Sequence, residues 1–218
     1  HDGKDATALV KNLNLAAAYI NFLGVNASSI QAFGDYSGTF AGITVAPFAR
    51  YHSYDTGKAV TGYAPAFDAS TFKYGVKVSS TPLNVILKPG FFVNYVGRST
   101  NLSETVDNKV SNKGNINESL VQAGLTSDEF LLSGLKAKVG YSQYTGSNVK
   151  GMIIGDGNDA FSTTSDRIYS TAYDYGTTAG SVDGIFAQLD WNGFAANYGI
   201  FNYTNSKDAK QNTTAHAF

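Results

Sequence analysis

Hydrophobic and polar residues alternate over long stretches of this chain. The clearest example is TFKYGVKVSSTPLNVILKPGFFVNYVGRS, residues 71–99, in which Phe72, Tyr74, Val76 and Val78 share one parity and polar residues or glycine the other. The alternation resumes beyond the central Thr-Pro dipeptide. A period of two is typical of a β-strand with one apolar and one polar face.

The same period predicts an all-β protein with about ten strands. Their expected bounds are 11–22, 29–36, 41–53, 70–80, 84–98, 117–126, 130–144, 182–190, 194–204 and 212–218. Several of these strands have more than ten residues, whereas strands of soluble proteins usually have about 5–6. A tilted strand that crosses a bilayer needs about 9–11 residues. Strand length therefore favours a transmembrane antiparallel β-barrel.

Connections of two lengths alternate between these strands. The tight ones are 37–40, 81–83, 127–129 and 191–193, and the long polar ones are 54–69, 99–116, 145–181 and 205–211. A closed meander produces this alternation when one rim has short turns and the other has loops. The link at 23–28 is an exception, since it is short where a long loop is expected.

The two parities predict which side chains face lipid and which face a lumen. The polar parity carries seven basic residues that we expect to line the pore: Arg50, Lys73, Lys77, Lys88, Arg98, Lys136 and Lys138. A charged side chain facing lipid near the midplane costs about 2–4 kcal/mol, so these residues require water. The apolar parity would face lipid, with Tyr51, Tyr95, Tyr141 and Trp191 near strand ends as interfacial aromatics.

Composition agrees with this class and excludes several others. The 218 residues include 23 Gly, 14 Tyr and 14 Phe, and only 15% are charged, with a formal net charge of −1. Such a balance gives no basis for nucleic-acid binding. No cysteine is present and no apolar run approaches 18 residues, so the sequence predicts neither disulfides nor a transmembrane helix. A soluble β-sandwich or a surface adhesin module also contains alternating strands and stays open as an alternative.

Four segments resemble the Campylobacter-type major outer membrane porin family. They are SSIQAFGDYSGTFAGITVAPFARYHSYDT (28–56), the hairpin at 71–99, ESLVQAGLTSDEFLLSGLKAKVGYSQYTG (118–146) and DGIFAQLDWNGFAANYGIFNYTN (183–205). The resemblance implies a homotrimeric porin of 16–18 strands in the Gram-negative outer membrane, with one loop folded into the lumen. Residues 1–218 would then form a single domain that supplies about ten of the strands, as a partial chain.

The connection at 145–181 is the longest and carries many aromatic residues. We expect it to fold into the pore, because exposing its apolar side chains to water would forgo their burial. Its acidic residues, Asp156, Asp159, Asp166 and Asp174, would then face the basic wall. Opposed charges across a constriction create a transverse field that biases ion selectivity.

Catalytic and metal-binding signals are weak. The three histidines, His1, His52 and His216, have no metal-ligand spacing, and neither a nucleophile elbow nor a P-loop occurs. Asp156, Asn158 and Asp159 supply oxygen ligands that calcium prefers, but they lack the full loop pattern, and a flexible acidic turn is the simpler interpretation. We therefore expect a non-enzymatic diffusion porin that uses no cofactor. Its expected partners are outer-membrane lipid, further copies of itself, and small hydrophilic solutes and ions.

Overall fold

The computed structural model describes residues 11–22, 27–55, 66–106, 109–146, 180–205 and 212–217. Eleven strands lie within them, and these residues contain no helix long and apolar enough to cross a membrane. The strands are β1 (Leu13–Phe22), β2 (Ala27–Tyr36), β3 (Gly38–Phe40), β4 (Ile43–Asp55), β5 (Ala66–Ser80), β6 (Pro89–Val106), β7 (Lys109–Ser127), β8 (Lys136–Gly146), β9 (Gly180–Trp191), β10 (Phe194–Asn205) and β11 (Thr213–Ala217).

All strands belong to one antiparallel sheet that follows chain order. The pairing runs β1-β2-β4-β5-β6-β7-β8-β9-β10-β11, and the short β3 pairs with β4. Within the described ranges β1 and β11 are not paired with each other, so the sheet has two edges there. The predicted all-β antiparallel architecture is thus confirmed.

Strand bounds differ from the prediction at both ends of the sheet. The predicted loop at 99–116 is mostly strand, because β6 and β7 continue to Val106 and from Lys109. The predicted strands at 84–98 and 130–144 begin later, at Pro89 and Lys136, because residues 81–88 and 128–135 form turns. Pro89 therefore opens β6, where the missing amide donor of proline is tolerated.

The described part of the long connection is strand rather than loop. Residues 145–146 end β8 and residues 180–181 begin β9. The intervening residues 147–179 lie outside the described ranges, and with them Asp156, Asn158, Asp159, Asp166 and Asp174. The predicted constriction and the calcium candidate therefore stay predictions.

Candidate functional site

The two faces of the sheet differ in burial and polarity. We define the inner face as the one that carries the buried cluster, whose members are Phe48, Phe92, Val96, Leu120, Tyr144, Val182, Phe186, Phe201 and Tyr203. The outer face carries large apolar side chains in solvent, such as Tyr19, Phe72, Val93, Leu125 and Ile185. Exposed apolar surface of this extent on one continuous face is typical of a protein that contacts lipid or another apolar partner.

The outer apolar side chains form a belt with a sharp upper edge on the loop side. Two positions beyond the last apolar outer residue, toward the loops, each strand of the belt has a polar residue, except β6, where Gly97 comes first and Ser99 follows. These last residues are Tyr19, Ile30, Tyr51, Phe72, Tyr95, Val121, Tyr141, Ile185 and Ile200 on β1, β2, β4, β5, β6, β7, β8, β9 and β10. We call the outer apolar residues between this edge and the turn-side strand ends the apolar belt.

The edge of the apolar belt crosses the strands obliquely. Paired residues show that it steps by two residues between β2 and β4, by four between β5 and β6, and by two between β7 and β8, and stays level at the other junctions. Averaged over the junctions from β1 to β10, the edge shifts by one residue from each strand to the next. With a rise of about 3.3 Å per residue and a strand spacing of about 4.8 Å, this offset corresponds to a tilt of about 35°. Strands of membrane barrels have this tilt relative to the barrel axis.

A row of charged side chains crosses four neighbouring strands on the inner face. Arg50 on β4 is opposite Lys73 on β5, Lys73 is opposite Arg98 on β6, and Arg98 is opposite Glu118 on β7. We call these four residues the charged row. Because like charges directly opposite each other repel, three adjacent cations require nearby negative charge.

Glu118 supplies negative charge to this row. Its carboxylate forms an ion pair with the Arg98 guanidinium and accepts a 2.5 Å hydrogen bond from the Tyr144 hydroxyl. The Glu118 side chain is only 3% exposed, and Lys73 is 1% exposed. The row is therefore a buried, predominantly positive element rather than a set of freely hydrated surface lysines.

The charged row lies near the loop-side edge of the apolar belt. Arg50 and Lys73 are next to Tyr51 and Phe72, which mark the edge of the apolar belt, whereas Arg98 lies three residues beyond Tyr95. Further toward the turns, Lys77, Asn94, Gln122 and Ser142 form a polar row in register. Gln122 is fully buried and donates to Ser142 at 3.3 Å, while its Oε1 has no hydrogen-bond partner among the described residues.

An apolar row separates these two polar rows. It runs in register through Phe48, Gly75, Val96, Leu120, Tyr144, Val182 and Tyr203. All its non-glycine members are buried. The described inner face is thus alternately polar and apolar from row to row.

Phenylalanine rings on the inner face lie over glycines of neighbouring strands. Phe92, Gly124, Gly140 and Phe186 are consecutive in one row across β6 to β9, and the two ring centroids are 6.2 Å apart. A Cβ atom added to Gly140 would lie 2.8 Å from ring atoms of both phenylalanines. Lys138 places its Nζ 4.4 Å from the centroid of Phe92, within cation–π range. The glycines therefore leave the space into which the rings fold.

The remaining predicted basic residues lie apart from the charged row. Lys77 belongs to the polar row, and Lys138 contacts the two phenylalanines. Lys136 and Lys138 line a cavity of about 370 Å³ near the turn-side rim, together with Asp128 and Asp190. Lys88 is not in a strand and pairs with Glu129 at 2.5 Å on the rim.

Glu118 and Tyr144 are members of the site that the sequence prediction missed. Both share the parity of the inner residues of their strands, which is the signal that could have identified them.

His52 contacts Ser29 at 3.1 Å, and no group of three or more potential metal ligands occurs among the described residues.

Comparison with known proteins identifies relatives with a common description. The family described as "S-layer protein SlpA, beta-barrel domain" matches residues 1–218. Two matches to "Outer membrane protein SlpA" of Thermus thermophilus are 35% identical over 191 residues and 31% identical over 214 residues. They cover 84% and 92% of this chain but 20% and 22% of the relatives, so the chain spans about a fifth of their length. No solved structure matches the chain.

These relatives confirm the predicted outer-membrane location and contradict the predicted family. The resemblance to the Campylobacter-type porin is wrong. It depended on glycines, aromatic residues and strand parity, which any lipid-facing strand requires and which therefore identify a class and not a family. The count of 16–18 strands, which that resemblance implied, loses its basis with it.

Proposed function

Because the chain belongs to the SlpA S-layer protein family as its β-barrel domain, we propose that it forms part of the wall of an outer-membrane channel. The channel would pass small hydrophilic solutes and ions by passive diffusion, without a catalytic step or cofactor. The outer-membrane location disfavours the alternative of a soluble β-sandwich, whereas an adhesin role of the loops is compatible with a channel.

One observation supports this proposal most strongly. The residues opposite the apolar belt are inner and carry the charged and polar rows, and the edge of the belt crosses the strands at the angle of a tilted barrel. Lys77, Asn94 and Gln122 lie at belt height, where burying polar side chains is costly unless they face polar groups or water on the side away from lipid. A water-filled lumen meets that need.

The long connection and the assembly state extend the proposal. We retain the predicted constriction, in which Asp156, Asp159, Asp166 and Asp174 narrow the lumen and face the basic wall of Arg50, Lys73, Lys77, Lys88, Arg98, Lys136 and Lys138. The excess of cations in the charged row supports it, because a low-dielectric site favours opposite charges nearby. A homotrimer also stays part of the proposal.

A second candidate function is that of a closed membrane anchor for the longer protein. The apolar row favours it, since Val96, Leu120, Tyr144 and Val182 are completely buried, as side chains are in the filled interior of a small barrel. An anchor would conduct no ions, which makes the two candidates distinguishable.

Single-channel recording of the full-length protein in planar bilayers tests the channel. We expect stable conductance and, after deletion of residues 150–175, a larger conductance because the constriction is removed. Absence of conductance from correctly folded, membrane-inserted protein would favour the anchor. Unchanged conductance after the deletion would contradict the constriction alone.

Ion selectivity tests the role of the inner cations. Lys77→Gln removes an exposed cation at belt height, so we expect the reversal potential in a salt gradient to shift toward cation preference. Lys11→Gln is the matched control, because it removes the same charge from a residue before β1. Equal shifts in the two variants would mean that Lys77 does not line the conducting path.

A further inference from the structure

Two neighbouring turns expose an unusual amount of apolar surface at the end of the sheet opposite the long loops. Residues 81–88 connect β5 to β6, and residues 128–135 connect β7 to β8. Ile86 is 90% exposed and Leu131 is 76% exposed, and Leu83, Val85 and Leu132 are exposed as well. We call residues 81–88 and 128–135 together the apolar turn platform.

The platform is held together by polar contacts at its base. The amide of Asp128 donates to the carbonyl of Lys88 at 3.3 Å, the hydroxyl of Ser127 donates to the carbonyl of Leu87, and Lys88 forms an ion pair with Glu129. These contacts join one turn to the other. The exposed apolar side chains are therefore carried by a defined structure.

Each turn also satisfies part of its own backbone. In the first turn, the amide of Lys88 donates to Val85 and that of Leu83 to Pro89, both at 2.9 Å. In the second, the amide of Phe130 donates to Leu135 at 2.6 Å. Internal pairing of backbone groups is the condition for bringing a segment close to lipid at low cost.

The strands alone make the apolar belt too short for a membrane. On most strands it spans about seven residues, for example Phe72–Val78 on β5 and Ile185–Trp191 on β9. At about 3.3 Å per residue and a tilt of about 35°, this length covers about 19 Å along the membrane normal. The apolar band of an outer-membrane barrel is about 25 Å tall.

The missing height can be added only at the turn end. Beyond the upper edge of the belt the outer residues are polar, for example Ser70, Ser99, Asn117 and Asp183. At the turn end the exposed residues include the apolar ones of the platform, beside the polar Thr81, Asn84 and Glu129. Phe40, which pairs with Ile43, is 86% exposed at the same end. The platform is thus continuous with the lipid-facing surface.

We propose that the apolar turn platform contacts lipid acyl chains and completes the apolar belt on the turn side. Irregular backbone is excluded from the centre of the hydrocarbon layer, so the platform lies at its edge and inserts only its side chains. The charged groups at its base are compatible with this position, because Asp128 faces the inner cavity lined by Lys136 and Lys138. This inference depends on the outer-membrane location and not on channel activity.

Spin labels in the full-length protein, reconstituted into phosphatidylcholine vesicles, test the proposal. The domain contains no cysteine, so single substitutions Ile86→Cys and Leu131→Cys provide unique labelling sites within it. Val93→Cys lies within the apolar belt and is the control for a label in lipid. Asn101→Cys lies beyond the loop-side edge of the belt and is the control for a label in water. The measurement is the ratio of collision rates of the nitroxide with oxygen, which concentrates in lipid, and with a water-soluble nickel complex.

We expect the ratio at positions 86 and 131 to exceed that at position 101 several-fold and to approach that at position 93. A ratio equal to that at position 101 would place the turns in water and overturn the proposal. Low collision rates with both reagents would mean that protein covers the platform, either a second copy or another partner, and would overturn it equally. Because Ile86 and Leu131 are highly exposed, neither substitution removes a packed side chain.

Discussion

Glu118 is the residue whose loss should most disturb the inner face. Its carboxylate is 3% exposed and bonds both Arg98 and Tyr144. Removing one partner of a buried ion pair costs about 3–5 kcal/mol, because the remaining charge is left in a poorly solvating site. Glu118→Gln keeps an acceptor for the Tyr144 hydroxyl, and the Arg98 side chain is 20% exposed, so we expect the lower end of that range, about 3 kcal/mol.

The same structure offers a matched control in Glu129. Glu129 pairs with Lys88. The Lys88 side chain is 39% exposed and the Glu129 side chain is 45% exposed. Exposed ion pairs contribute about 0–1 kcal/mol, so Glu129→Gln should leave the free energy of unfolding almost unchanged. Both variants lose one negative charge, and only the depth of the pair differs.

Urea unfolding of the full-length protein in lipid vesicles, followed by circular dichroism at the β-sheet band, measures both variants. A loss of about 3 kcal/mol corresponds to about a hundredfold change in the unfolding equilibrium. If Glu118→Gln and Glu129→Gln destabilise by the same amount within about 1 kcal/mol, the reasoning about the buried charged row is refuted.

The apolar belt was predictable from the sequence because it follows a simple rule. The outer residues of the belt are apolar or glycine. The alternation is strict on β5 from Phe72 to Val78, whereas the inner residues Phe48 on β4 and Phe186 on β9 interrupt it. Tyr51, Tyr95 and Trp191 were correctly placed on the outer face near the ends of that alternation. Parity alone is enough to find such residues.

The strand ends were harder to predict because the rule fails beyond the belt. At 99–116 polar residues occupy both parities of the sequence, so the alternation is lost and this segment looks like a loop. At 84–88 and 130–135 the turns are apolar and look like strand. Leu87, Lys88 and Leu131 have positive φ of 72°, 40° and 64°, a backbone geometry that residue type does not reveal.

The charged row was predictable only in part. Parity placed Arg50, Lys73 and Arg98 on the inner face, but their adjacency depends on the pairing register of three strands, which parity does not fix beyond even or odd shifts. Glu118 lies within the predicted strand 117–126, but its parity alone does not show that Arg98 is opposite it. The location of a counter-charge is thus a property of register, and register emerges only from the assembled sheet.

Three further changes test the packing, the turn chemistry and the electrostatics of the domain. Gly140→Ala should cost about 1–3 kcal/mol in unfolding free energy, because its methyl group would displace the rings of Phe92 and Phe186; unchanged urea stability would contradict the packing. Gly193→Ala should cost about 1–2 kcal/mol by the same assay, because the hairpin turn holds this residue at a φ of 86° with no neighbour to clash. Asp68, on the loop side of the belt, has a pKa raised above its ordinary value of 3.8 by burial and by the hydrogen bond and charge of Asp55 opposite it. The folded state then holds the proton more tightly than the unfolded state. At a pH above the folded pKa, the ionised carboxylate therefore destabilises the fold, and this penalty disappears at a pH below 3.8. Asp68→Asn should therefore raise the urea midpoint at neutral pH and leave it unchanged in strong acid, and an equal effect at both pH values would show that the carboxylate pair is not the cause.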